Sequence, residues 1–227
     1  MNMKKSVYWI AFFIAVGLWS CETDSYPLPG ETLQGSLIDP DGSPLITEQP
    51  HGFKIRLLED GGTQFYDFWG KADGTFKNTK LFPATYTIVP IDGPFFPVDA
   101  KIREVSGVVS VDFTVIPFAK IDADITMDQQ HVKATFRIAK AAGAGKIKDA
   151  QLLLSKWNPN VGMYSKNWNK SLDLAGVTDV DIQNGAQELV LENVLESGVT
   201  YYARVAVLCE NQLGRYNLSE VTELIAD

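Results

Sequence analysis

Val109, Val111, Phe113 and Val115 alternate with Ser110, Asp112 and Thr114, and Phe53, Ile55 and Leu57 alternate with Lys54 and Arg56. A period of two places every second side chain on one face, which specifies a strand with one buried side. The same pattern returns at residues 131–138 (HVKATFRI), where Val132, Ala134, Phe136 and Ile138 share a face, and 148–157, 187–194 and 200–208 read as further strands. Turn clusters separate these runs: Asp39-Pro40-Asp41-Gly42, Asp60-Gly61-Gly62, Asp73-Gly74 and Asp92-Gly93-Pro94. Glycine accepts a positive φ there and aspartate hydrogen-bonds its own backbone. No long stretch has helical periodicity. The expectation is an all-β chain, and at 227 residues with 45% hydrophobic content it has material for one large or two small domains.

The N-terminus reads as an address. Lys4 and Lys5 precede an uncharged run at 7–18 (VYWIAFFIAVGL), which is too short for the ~20 residues of a membrane-spanning helix and suits a signal peptide. Leu18-Trp19-Ser20-Cys21 follows and resembles a bacterial lipobox, with Leu18 at −3 and the small Ser20 at −1. That resemblance implies cleavage before Cys21 and acylation of its thiol. Several acyl chains, at about 0.8 kcal/mol per buried CH₂, hold a protein on a membrane without spanning it. Glu22 and Asp24 just after the cysteine resemble the surface-export signal of Bacteroidetes lipoproteins, which implies an outer-membrane anchor facing the cell exterior. With Cys21 acylated, Cys209 has no disulfide partner and reads as a small buried thiol.

Charge narrows the partners. The chain carries 20 Lys+Arg against 28 Asp+Glu, a net −8, and loss of Lys4 and Lys5 makes the mature chain more acidic still. Binding to a phosphate backbone needs concentrated positive charge, so nucleic acid is not an expected partner.

Two sandwich patterns follow the signal. Leu33-Gln34-Gly35-Ser36-Leu37-Ile38-Asp39, then Asp73-Gly74-Thr75-Phe76 and Leu81-Phe82-Pro83-Ala84-Thr85-Tyr86-Thr87-Ile88, resembles transthyretin-like, carboxypeptidase-regulatory-like sandwiches. Ala84 stands where that pattern has a glycine. Further on, Leu195 six residues before Tyr201, with Ala203, Val205 and Val207 continuing the inward face, resembles the E–F corner of a fibronectin type III domain, an Ig-like sandwich. The expected organisation is a signal peptide (1–20), a lipidated linker (21–30), a first β-sandwich (31–117) and a second (118–227). Lipobox, both sandwiches and Gly93-Pro94-Phe95-Phe96-Pro97 together resemble two-domain Bacteroidetes lipoproteins encoded beside starch-utilisation-type glycan-uptake receptors. The resemblance implies surface glycan capture, with receptor proteins as partners and no catalytic residues.

The residues themselves offer little for catalysis. There is no His-x-x-x-His, Cys-x-x-Cys or Gly-x-Ser-x-Gly, and the acids are spread through turns. Asp39-Pro40-Asp41-Gly42-Ser43 lacks the remaining ligands of a calcium loop and reads as a turn. No enzyme activity, cofactor or metal is expected. Aromatics are the better lead. Gln64-Phe65-Tyr66-Asp67-Phe68-Trp69 puts Phe65, Asp67 and Trp69 on one face of a strand and Tyr66 and Phe68 on the other, so one face needs a second domain, a partner or a sugar to cover it. The run at 164–170 (YSKNWNK) mixes Tyr164 and Trp168 with Asn167 and Asn169 in an expected loop. A sugar site needs that mixture of flat apolar face and planar polar groups. The candidate glycan-binding residues are Trp168, Tyr164, Asn167, Asn169, Trp69 and Tyr66. Trp168 is expected exposed and Trp157 buried, with Phe95 and Phe96 as a third aromatic pair. The competing expectation is a structural or protein-docking spacer whose aromatics seal interfaces.

Overall fold

The structure, a computed structural model, describes residues 28–128, 130–192 and 195–226. Cys21 and the signal peptide lie outside the described residues. The chain folds as two tandem β-sandwiches.

The first is built from β1 (Glu31–Ile38), β2 (Lys54–Glu59), β3 (Phe65–Trp69), β4 (Thr75–Leu81), β5 (Ala84–Ile91), β6 (Lys101–Val105), β7 (Val108–Ser110) and β8 (Phe113–Thr114). One sheet runs β4-β1-β7, with β8 also on β1, and the facing sheet runs β3-β2-β5-β6. Leu33 and Leu37 of β1, Ile55 and Leu57 of β2, Phe76 of β4, and Tyr86 and Ile88 of β5 meet between the sheets as one apolar core. Gly35 lies between Leu33 and Leu37 on the inward side of β1. A β-carbon there would sit 1.9 Å from the Val111 carbonyl oxygen and 2.6 Å from the Phe76 ring. Only glycine lets the backbone approach that closely.

The second sandwich contains β9 (Ala119–Asp128), β10 (His131–Lys140), β11 (Ile147–Lys156), β12 (Trp168–Asp173), the short helix α1 (Asp179–Asn184), β13 (Gln187–Leu191), β14 (Thr200–Cys209), β15 (Asn217–Leu218) and β16 (Thr222–Ile225). The sheets are β13-β10-β9 and β12-β11-β14-β15, with β16 further along β14. Phe136, Leu152, Leu154, Val205 and Val207 belong to the core between them. Tyr201 is buried there, and its hydroxyl accepts the Glu196 backbone N–H at 3.0 Å, which satisfies the phenol at the strand corner.

The central strands β11 and β14 are buried on both faces. Leu152 and Leu154 point inward. Leu153 of β11 and Ala206 of β14 point outward and join Val161 and Leu218 in a third apolar cluster, against which Ile46 of the first sandwich packs with Met163, Tyr202 and Tyr216. Polar groups lock the same junction. Asn217 Nδ2 donates to the Pro94 carbonyl at 2.9 Å while its Oδ1 accepts from the Ala119 N–H at 3.1 Å. Phe95 and Pro117 form an antiparallel bridge. Phe95 is buried in the first core and Phe96 stacks edge-on against Phe118, centroids 5.1 Å apart, so this pair is packing rather than an exposed platform. The 39–43 segment is a turn: Asp39 Oδ1 accepts from the N–H groups of Asp41 and Ser43 at 2.9 and 3.1 Å. Lys120 of the second sandwich pairs with both Asp39 and Asp41.

Candidate functional site: an aromatic cleft between the sandwiches

The outward face of β3 carries Phe65, Asp67 and Trp69, opposite Leu58, Arg56 and Lys54 of β2. Arg56 and Asp67 pair across the strands through two bonds of 2.8 and 2.7 Å. The guanidinium hydrogen bond, joined by its charge, holds the Asp67 carboxyl below its ordinary range. At the end of this row, Trp69 meets the second sandwich.

Three segments converge on the Trp69 ring. His51, from the 46–53 segment, stands edge-on to it with centroids 4.8 Å apart. His51 also meets Tyr164, again edge-on, at 5.4 Å. Lys54 Nζ lies 4.7 Å from the indole centroid, and the Arg215 guanidinium carbon lies 5.8 Å from it. Both cations are in range of the negative face of the ring. Asp92 ties them together, accepting from Lys54 Nζ at 3.0 Å on its carboxylate and from Arg215 Nε at 3.1 Å on its carbonyl. Three non-glycine residues with left-handed φ are recorded among the described residues, and two of them, His51 (+78°) and Asp92 (+60°), are here. Such backbone is disfavoured and persists where surrounding contacts hold it.

Tyr164 is held from its backbone. Its N–H donates to Glu48 Oε1 at 3.1 Å, leaving the ring 70% exposed. Burial pushes the Glu48 carboxyl above its ordinary value, against the pull of the Tyr164 and Met163 N–H groups and of Arg204 and Arg215. Tyr164, Met163, Leu213, Arg215, Tyr216 and Glu48 line a concavity of about 220 Å³ beside the Trp69–His51 pair. Trp69 is 38% exposed, so its ring is reachable from solvent. The arrangement sets a solvent-reachable indole and an exposed phenol ring beside cationic and imidazole groups.

The six expected binding residues separate. Trp69 and Tyr164 come together through His51. Tyr66 lies on the opposite side of β3, where it lines a different concavity of about 250 Å³ with Leu57, Leu81, Phe82 and Tyr86. Trp168 is not an exposed loop residue. It opens β12 opposite the inward-facing Leu154 and leans on Tyr201, centroids 6.0 Å apart, so it shares the core side of its sheet. Asn167 Oδ1 accepts the Lys156 N–H at 2.8 Å and the Ser155 hydroxyl at 3.2 Å, which is structural work at the strand end. Asn169 is exposed and bonded to Gln151 and Ser171 at 3.1 and 3.3 Å. Trp157, expected in the core, is 69% exposed, because the chain takes φ +66° as it leaves β11. His51, Lys54 and Arg215 were missed by sequence reasoning. No local motif marks them, since their partners come from distant segments. Among the described residues no three His, Cys, Asp or Glu side chains converge on a metal-sized site.

No family model matches the sequence, and no curated protein matches it. Solved structures do. A DUF3823 family protein from Bacteroides uniformis superposes with a TM-score of 0.78 at 23% identity, covering 88% of this chain and 100% of that one. A second Bacteroides uniformis structure, provisionally described as a carbohydrate binding protein, gives 0.75 at 22% identity over 87% and 99% of the two chains. A DUF3823 family protein from Parabacteroides merdae gives 0.72 at 21% identity over 87% and 99%. The likeness is one of fold and runs through both sandwiches.

Proposed function

We propose that this chain is a non-catalytic, lipid-anchored protein of the outer-membrane surface that binds glycan in the cleft between its sandwiches. One observation carries the reading: Trp69 of the first sandwich and Tyr164 of the second are both brought against His51, both open to solvent, with Arg215 and Lys54 beside the indole. Aromatic faces take the C–H face of a sugar ring and the rim groups take its hydroxyls. The lipobox ending at Cys21 supplies the anchor, and the acids after it the outward orientation. The carbohydrate-binding description of one fold neighbour supports the same reading. A glycan-uptake receptor complex is the partner such a protein would serve.

The test is binding of the chain, with residues 1–21 removed, to plant, host and microbial polysaccharides by affinity electrophoresis and calorimetry. Trp69→Ala and Tyr164→Ala should each weaken binding by about tenfold, with near-ultraviolet circular dichroism unchanged. If no polysaccharide binds, the reading fails. One observation favours the alternative of a protein-docking module without glycan binding. Phe65, Leu58, Thr87 and Ile102 form a row across the outer face of the β3-β2-β5-β6 sheet, and Phe65 and Ile102 are exposed. Retention of receptor proteins by the wild-type chain, lost on Phe65→Ser with Ile102→Ser, would support it.

A further inference from the structure

We infer that the sugar taken by the Trp69–Tyr164 cleft is acidic, a uronic acid residue whose carboxylate pairs with Arg215. The inference rests on the glycan reading of that cleft. It starts from how the cations around Trp69 are used. Lys54 is paired with Asp92 at 3.0 Å, and Arg56 with Asp67 through two bonds. Arg204 is buried in the junction on the Thr47 carbonyl at 3.3 Å. Arg215 differs from Lys54 and Arg56 in lacking an ion pair, and from Arg204 in not being buried. Its Nε is spent on the Asp92 carbonyl at 3.1 Å, and among the described residues no ion pair is recorded for its guanidinium.

Arg215 is also held in place. Asn211 clamps its backbone, with Oδ1 accepting the Arg215 N–H and Nδ2 donating to the Arg215 carbonyl, both at 2.9 Å. The guanidinium is therefore anchored at one nitrogen and set beside the indole, and Arg215 lines the concavity it shares with Tyr164. That fork matches a carboxylate geometrically, and the bidentate, charge-assisted pair is stronger than a bond to a neutral hydroxyl. Glu48 lines the same concavity and its carboxylate feels the charges of both Arg204 and Arg215, but it accepts the Tyr164 N–H and forms no ion pair with Arg215 among the described residues. In a chain where 28 acids outnumber 20 bases, an arginine without a carboxylate partner beside an exposed aromatic pair is complementary to an anion brought by the ligand. A uronic acid supplies both halves: a C–H face for the rings and a carboxylate at its edge.

The experiment uses uronate polysaccharides, each paired with its own carboxyl-reduced form, titrated against the chain lacking residues 1–21. The expected result is at least about tenfold tighter binding of the acidic form, narrowing as salt is raised. Arg215→Gln should erase that preference while leaving residual binding of both forms, and Arg215→Lys should restore only part of it. Trp69→Ala should weaken both forms alike. Equal binding of the acidic and reduced forms, or a preference that survives Arg215→Gln, overturns the inference and leaves the glycan reading standing. Absence of binding to every polysaccharide, acidic or neutral, removes the glycan reading and the inference with it.

Discussion

Arg204 of β14 and Thr47 of the first sandwich meet inside the junction: Nη2 of the arginine donates to the threonine carbonyl at 3.3 Å, and the arginine is 1% exposed. Burial lowers the guanidinium to about 10, against the favourable charges of Glu48 and Glu220, so it is still a cation at neutral pH. Its Nε has no hydrogen-bond partner. A buried cation with an unmade bond is expensive, and its neighbours are arranged around it.

Arg204→Ala should therefore lower stability by about 3 kcal/mol, because it opens a cavity and strips Glu48 of a compensating charge. Arg204→Met, which refills most of the volume, should cost less. Urea midpoints measure both, and calorimetry should show Arg204→Ala splitting one unfolding transition into two as the sandwiches uncouple.

Glu48 sets a pH dependence of opposite sense to most carboxylates. Burial raises its folded value above the ordinary 4.5, so between those values the folded chain binds more protons than the unfolded one. Its contribution to stability is lost as pH rises through that window. Glu48→Gln should remove this downward slope from urea midpoints measured between about pH 4 and 8. Asp67 runs the other way: the bond from Arg56 lowers it, so its contribution is lost as pH falls, and Asp67→Asn should flatten the acid limb.

The two tryptophans of the 157–168 segment should behave oppositely. Trp157→Ala should change stability by less than about 0.5 kcal/mol, since the ring is exposed, with the Lys156 ammonium 4.5 Å from its centroid. Trp168→Ala, which removes a ring from the edge of the second core, should cost about 2 kcal/mol. Equilibrium unfolding of the two variants, followed by circular dichroism, separates them.

Cys209 should not react with an aromatic disulfide reagent in the native protein. Burial pushes its thiol up to about 11 and closes it from solvent. In the chain lacking residues 1–21 it is the remaining cysteine, so full reaction of one thiol should appear only on unfolding, and its rate should follow opening of the second core.

The strands were legible because their determinant is local. Ile55 and Leu57 alternate with Lys54 and Arg56, and the structure buries the first pair and leaves the second outward. The same parity separated Phe65 and Trp69 from Tyr66 and Phe68 correctly. Parity failed at strand ends. The left-handed turn at Trp157 swings that side chain out, and pairing with Leu154 turns Trp168 in, a register that only the neighbouring strand defines. The cleft was half legible. Aromatic content marked Trp69 and Tyr164, but what joins them is His51, and what charges the rim is Arg215, each set by contacts across the junction that leave no period in the sequence. Leu153 and Ala206 show the same limit: their outward burial comes from a cluster that distant segments build, with Val161, Leu218 and Ile46 of the other sandwich.

That outward burial also bears on how such a chain can be inherited. A recombination event that moved the second sandwich alone into another gene would strip Ile46 from the cluster of Leu153, Val161, Ala206 and Leu218 and leave a charged arginine without the Thr47 carbonyl. A break through the middle would thus cost the chain packing and a hydrogen bond that each half alone cannot replace.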